Sequence, residues 1–151
     1  MAKPELAEAL HLLVSELDQE AEYLLTTRHG ITHSQLAFMA PLLREGPLDI
    51  STLAARMNVT VAAVSKRASW FVDRGYVRID SASVPGRRTL LALTDSGQTL
   101  TAAAISTLET GLATVLSDID PKRRKQFRSL LLEVLGHVQD ASVRPRQEQS
   151  A

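Results

Sequence analysis

Leu6, Leu10, Leu13, Leu17, Ala21 and Leu24 follow one another at steps of three and four residues, the spacing that lines one face of a helix. Pro4 opens this helix and Gly30 stops it, so the pattern predicts one amphipathic helix over residues 4–28 whose leucine stripe needs a partner. A second start signal comes at once. Thr32 and Gln35 have capping-box spacing, and Ile31 and Leu36 occupy the two positions of a hydrophobic staple. That helix is expected over residues 33–45, ending at Gly46-Pro47. Asp49 then caps a short helix carrying Leu53, Ala54 and Met57, Asn58 accepts the left-handed conformation in a tight turn, and Thr60 caps a further helix that ends at Gly75.

Beyond Gly75 the period falls to two. Val77 and Ile79 alternate with Arg78 and Asp80, and Leu91 and Leu93 alternate between Thr89 and Thr94, which predicts two strands joined by a loop over residues 81–88 that contains Pro85-Gly86. Helical spacing returns with Leu100, Ala104, Leu108, Leu112 and Val115 after a Thr94 cap. It returns again with Phe127, Leu130, Leu131, Val134 and Val138, in a helix capped by Asp120 and opened by Pro121. The polar stretch over residues 141–151 reads as a loose tail. The expected fold is mainly α with a small β-hairpin wing: a winged helix-turn-helix over residues 32–94, flanked by N- and C-terminal dimerisation helices over residues 4–28 and 95–140. Dimerisation is expected because the flanking stripes exceed what so small a lobe can cover alone.

Composition narrows the function. A chain of 151 residues with 44% apolar residues is one ordinary domain with a core of its own. With no cysteine, disulfides, Cys-ligated zinc, iron–sulfur clusters and thiol nucleophiles all drop out. His11, His29, His33 and His137 show no metal-ligand spacing, and neither a glycine-rich phosphate loop nor a nucleophile elbow is present, so no metal, no cofactor and no enzymatic activity are expected. No apolar run approaches the roughly 18–20 residues that span a bilayer, which points to a cytoplasmic protein without a membrane partner.

The balance of 17 basic and 17 acidic residues excludes an indiscriminate, histone-like nucleic-acid binder, but it conceals a division. Over residues 1–27 Lys3 stands alone against Glu5, Glu8, Glu16, Asp18, Glu20 and Glu22, whereas over residues 61–90 Lys66, Arg67, Arg74, Arg78, Arg87 and Arg88 face only Asp73 and Asp80. The basic stretch coincides with the helix after the tight turn and with the wing. In a helix-turn-helix the second helix enters the major groove N-terminus first, and a wing carrying Arg87-Arg88 can reach the neighbouring minor groove. Val61, Ala62, Ser65, Lys66 and Ser69 fall on the open face of that helix, while Val64, Ala68 and Phe71 follow the buried spacing. Ser65 and Lys66 suit base edges or phosphates, and Val61 and Ala62 suit a thymine methyl. A wing arginine and a recognition helix together predict double-stranded DNA as the partner.

Ile31-Thr32-His33-Ser34-Gln35-Leu36, the run Leu53 to Thr60, Asp73-Arg74-Gly75-Tyr76-Val77, and Arg87-Arg88-Thr89-Leu90 leading to Leu93-Thr94-Asp95-Ser96-Gly97 stand in the order and spacing of one family. Through them residues 5–138 resemble the MarR family of bacterial winged-helix transcriptional regulators. The resemblance implies a homodimer that binds a pseudo-palindromic operator as a repressor and releases it when a small aromatic or phenolic effector binds. It also implies a ligand pocket near the junction of the dimerisation helices and the DNA-binding lobe, which makes Tyr23, Arg28 and His33 ligand-binding candidates; Trp70 is a further one, as a ligand-stacking or interdomain wall beneath the recognition helix. The chain departs from the family in three places. Gly86 replaces the aspartate that usually orients the wing arginine, and Arg67 and Trp70 stand where the family tends to place an apolar and a polar residue respectively. The basic run Lys122-Arg123-Arg124-Lys125 is expected on a solvated face or against the acidic first helix of a partner subunit. The alternative function is a winged-helix protein-interaction or ligand-binding dimer that has lost operator binding.

Overall fold

The computed structural model describes residues 4–80 and 89–148, with residues 142–148 described by their backbone. The elements are α1 (Leu6–His29), α2 (His33–Glu45), β1 (Leu48–Asp49), α3 (Ile50–Met57), α4 (Val61–Asp73), β2 (Val77–Asp80), β3 (Leu90–Leu93), α5 (Asp95–Val115) and α6 (Pro121–Glu148). The chain divides into two compact units, Met1–Thr110 and Gly111–Ala151. Among the described residues no helix is long and apolar enough to cross a membrane.

Local chemistry sets each boundary. Gly30, at φ +66°, turns the chain out of α1 while its amide bonds Thr26 O at 3.2 Å. Thr32 Oγ1 accepts from Gln35 N at 3.1 Å, and Thr32 N donates to Gln35 Oε1 at 2.9 Å, so the capping box that opens α2 is complete. Asp49 Oδ1 accepts from Thr52 N at 2.7 Å and starts α3. Asn58, at φ 54°, ends α3 in the left-handed region, and Thr60 Oγ1 takes Ala63 N at 3.2 Å to start α4. These are the caps and the turn that the sequence predicts.

The first unit holds the core. Leu25, Phe38, Met39, Leu53 and Val64 are fully buried, and Phe38 stacks on Phe71 with ring centroids 4.1 Å apart. These side chains come from α1, α2, α3 and α4, so one cluster fixes α4 to its supports. The sheet runs β1-β3-β2, antiparallel throughout, with Leu48 opposite Leu91 and Val77 opposite Leu93. At its foot, Thr94 Oγ1 donates to Gly75 O at 2.5 Å and accepts from Gly97 N at 3.1 Å. A Cβ on Gly97 would come within 2.0 Å of Tyr76 O, so only glycine lets α5 begin this close to the strand.

Three expectations change. The sheet has a third strand, β1, where the period-two pattern predicts only a hairpin; two residues carry no period, and the strand exists because Leu48 and Asp49 pair with Leu91 and Leu90. Ile79 shares its strand face with Val77 yet is 55% exposed, because the core ends before the far end of β2 is reached. The last helix continues past Asp140 to Glu148, passing through Pro145, whose missing N–H costs one backbone bond without ending the helix. In the second unit α6 opens as expected, Asp120 Oδ1 accepting from Lys122 N at 2.9 Å.

Candidate nucleic-acid interface

Helix α4 presents the face that the spacing assigns to it. Val61, Ala62, Ser65, Lys66 and Ser69 are all exposed, while Val64, Ala68 and Phe71 are buried. Ser69 Oγ donates to Lys66 O at 3.2 Å, which holds that hydroxyl against its own helix. The side chains of Ser65 and Lys66 have no hydrogen bond or ion pair among the described residues, so both are open to an external partner. Val59 and Val61 stay exposed on either side of the Thr60 cap, placing two methyl-bearing side chains at the leading end of the helix. Arg87 and Arg88, and Gly86 before them, lie outside the described residues.

The flanks of α4 are less uniform. Arg74 lies 4.0 Å over the Trp70 ring, and Trp70 meets Phe71 edge-on with centroids 4.9 Å apart. Trp70 is therefore half-buried at the rim of the core, held by a cation on one side and an aromatic ring on the other. Arg67 Nη2 donates to Ser34 Oγ in the first turn of α2. Between the two helices runs an open cleft of about 560 Å³, lined by Ser34, Gln35, Lys66, Arg67 and Trp70 among others.

Among the described residues, the four ligand candidates stand in different places. Trp70 lines the cleft beside α4, whereas His33 lines a different one of about 440 Å³ with Leu36, Pro41, Arg56 and Leu108. Tyr23 is 63% exposed on α1, and Arg28 is exposed near the end of that helix. His33 also joins α1 to α2: its backbone N donates to Glu22 Oε2 at 2.7 Å, and its ring Nδ1 lies 3.8 Å from Asp18 Oδ1. A carboxylate from α1 thus satisfies one of the open amides at the start of α2, where the helix dipole favours negative charge. His29 Nε2 meets Thr107 Oγ1 at 2.8 Å and ties the other side of the α1 terminus to α5. Sequence reasoning missed Glu22 and Ser34. Glu22 is one of several acids on α1, and Ser34 is an ordinary first-turn serine; both become informative only through contacts made across helices.

Charge on the supporting helices is handled differently from charge on α4. Arg56, at the end of α3, makes a two-pronged pair with Glu45 at the end of α2, Nε to Oε1 at 2.8 Å and Nη2 to Oε2 at 2.9 Å. The hydrogen bond from Arg56 holds the Glu45 carboxyl below its usual pKa, and the same bond raises the guanidinium. Arg78 pairs with Asp80 at 3.0 Å and donates to Leu93 O at 2.8 Å, stiffening the sheet at the base of the wing.

No family model matches the chain. Among curated proteins it is 26% identical to an uncharacterised HTH-type transcriptional regulator of Mycobacterium leprae, over 86% of this chain and 92% of that protein. Among solved structures, a MarR-family protein of Bacillus stearothermophilus superposes with a TM-score of 0.81 at 20% identity, covering 89% of this chain and 93% of that one. A MarR-family protein of Mycobacterium tuberculosis, in complex with salicylic acid, superposes with a TM-score of 0.70 at 22% identity, covering 87% and 97%. Helix order, the cap-and-turn leading into α4 and these superpositions agree that the chain has the winged-helix fold of the MarR-family regulators.

Proposed function

We propose that the protein is a sequence-specific transcriptional regulator of the MarR family, a cytoplasmic homodimer that binds a pseudo-palindromic operator in double-stranded DNA and represses until a small aromatic or phenolic effector releases it. The observation that carries this reading is the α4 face: five exposed residues on a helix buried along its other side, opened by the Thr60 cap after a left-handed Asn58. A buried back and an unpartnered front make a helix fit to enter a groove about 12 Å wide. The relatives named as HTH-type transcriptional regulators support the reading. The exposed Phe127, Leu130, Leu131, Val134 and Val138 stripe of α6 supports the homodimer, since a stripe of that length in water needs a covering surface. Two symmetric α4 helices then address half-sites about one DNA turn apart. Release requires an effector that binds the two conformations of the dimer with different affinity. The complex of the M. tuberculosis protein with salicylic acid supports an aromatic acid as the first effector to test.

The experiment is selection of bound fragments from genomic DNA, followed by titration of the best fragment at two salt concentrations with wild type and Arg88→Ala. A palindromic fragment bound tightly and salt-dependently by wild type, and several-fold more weakly by Arg88→Ala, is the expected result. Failure to enrich any fragment, or equal binding by both proteins at low salt alone, overturns the reading.

A further inference from the structure

Arg67 leaves α4 sideways. Each residue of an α-helix turns about 100° from the last. With Val64, Ala68 and Phe71 in the core, Ala62 and Lys66 stand at the centre of the opposite, exposed face, and Arg67 stands on the flank that faces α2. Its Nη2 donates to Ser34 Oγ across the cleft between the two helices. A helix with its side chains is about 10–12 Å across and the major groove of B-DNA about 12 Å wide, so a helix whose central face meets base edges brings its flanks against the phosphate walls.

The charge on Arg67 is free for such a wall. The guanidinium has five N–H donors, and a neutral hydroxyl occupies only part of that set. Arg56 and Arg78 each have a carboxylate, and Arg74 lies on the Trp70 ring, but Arg67 has no ion pair among the described residues and no acidic residue lines its cleft. Ser34 restricts the side chain without neutralising it, so a cation is held in place on the flank of a DNA-facing helix. Lys66, one residue earlier on the same cleft, adds a second positive charge.

We propose that Arg67, anchored by Ser34, is a backbone-contacting residue that grips a phosphodiester of the operator at the edge of the major groove while Ser65 and Lys66 face the bases. The inference rests on the DNA-binding reading above. A phosphate contact adds affinity without sequence information and releases counterions, so it has a signature distinct from base reading.

The test is the slope of log affinity against log salt, measured on the selected operator fragment and on a scrambled duplex with wild type, Arg67→Ala, Arg67→Lys and Ser34→Ala. Each phosphate contact contributes about 0.9 to the slope, so Arg67→Ala lowers it by about 1.8 in a symmetric dimer and weakens operator and scrambled DNA by similar factors. The gap between wild type and Arg67→Ala then narrows about tenfold between roughly 50 and 200 mM salt. Arg67→Lys and Ser34→Ala keep the charge and so keep the slope, while binding both duplexes a few-fold more weakly. Arg44→Ala is the control, removing an equal charge about 15 Å further along α2 with no change in slope. An unchanged slope in Arg67→Ala overturns the assignment, as does a loss confined to the operator, which would make Arg67 a base reader. If wild type itself shows no salt-dependent DNA binding, the regulator reading fails first and this inference falls with it.

Discussion

Phe38 and Leu131 are both large apolar side chains on well-formed helices, yet Phe38 is fully buried and Leu131 is 47% exposed. The contrast extends to their surroundings. Around Phe38 the first unit closes on itself, with buried residues from α1 to α5 in one cluster. Along α6, Phe127, Leu130, Val134, Leu135 and Val138 are exposed beside Leu131. Hydrophobic burial in the first unit is a property of one chain, whereas the α6 stripe can lower its free energy only against a surface that it does not find within its own unit. The two regions should therefore respond to substitution in different ways: the first through intrinsic stability, the second through association.

The largest effect expected is on association. In the proposed homodimer, Leu131→Asp removes its side chain twice from a symmetric interface, which forfeits roughly 3–6 kcal/mol of apolar burial before the cost of a carboxylate there is counted. Sedimentation should show wild type as a dimer at micromolar concentration and Leu131→Asp as a monomer that keeps its helical circular dichroism. A wild type that sediments as a monomer, or a variant that stays dimeric, would erase the distinction between the two regions.

Phe38→Ala comes next, at about 3–5 kcal/mol for a fully buried aromatic residue. It also removes the ring stacked on Phe71, and with it part of the support of α4. Its melting temperature should fall by an amount that does not depend on protein concentration, whereas that of wild type rises with concentration as any folding linked to dimerisation must. A Phe38→Ala loss that vanishes at high concentration would show that the first unit is not self-sufficient.

The same contrast explains what could be read from the sequence. Thr32 with Gln35, Asp49, Asn58 and Thr60 act on amides within three residues, and the spacing of Val64, Ala68 and Phe71 is set by the helix itself, so both were legible along the chain. β1 was not, because a strand of two residues is defined by its partner Leu91 and not by its own pattern. Glu22 reaches eleven residues along the chain to His33 N, and Arg67 reaches across thirty-three to Ser34; no local rule connects such pairs. How Tyr23, Arg28, His33 and Trp70 stand relative to one another was not legible for a related reason, since nearness in sequence or to a helix junction does not say which side of α2 a residue faces. His33 and Trp70 line different clefts.

Arginines repeat the comparison on a smaller scale. Arg56 is matched by Glu45, while Arg67 is held by a hydroxyl, so one belongs to the fold and the other is available to a partner. Because the Arg56 hydrogen bond depresses the Glu45 pKa in the folded state, the pair stabilises fully above the pKa that Glu45 has when unfolded, about 4.5. That contribution fades as pH falls through the lower, folded value, where the carboxylate protonates. Since both groups are exposed, the effect is small and weakens with salt. Urea melts of wild type and Arg56→Ala should differ slightly near pH 7 and converge once pH has fallen through the lowered, folded value of Glu45, and Arg67→Ala should track wild type throughout. A gap between wild type and Arg56→Ala that persists at low pH would mean that the aliphatic stem of Arg56 matters more than its charge.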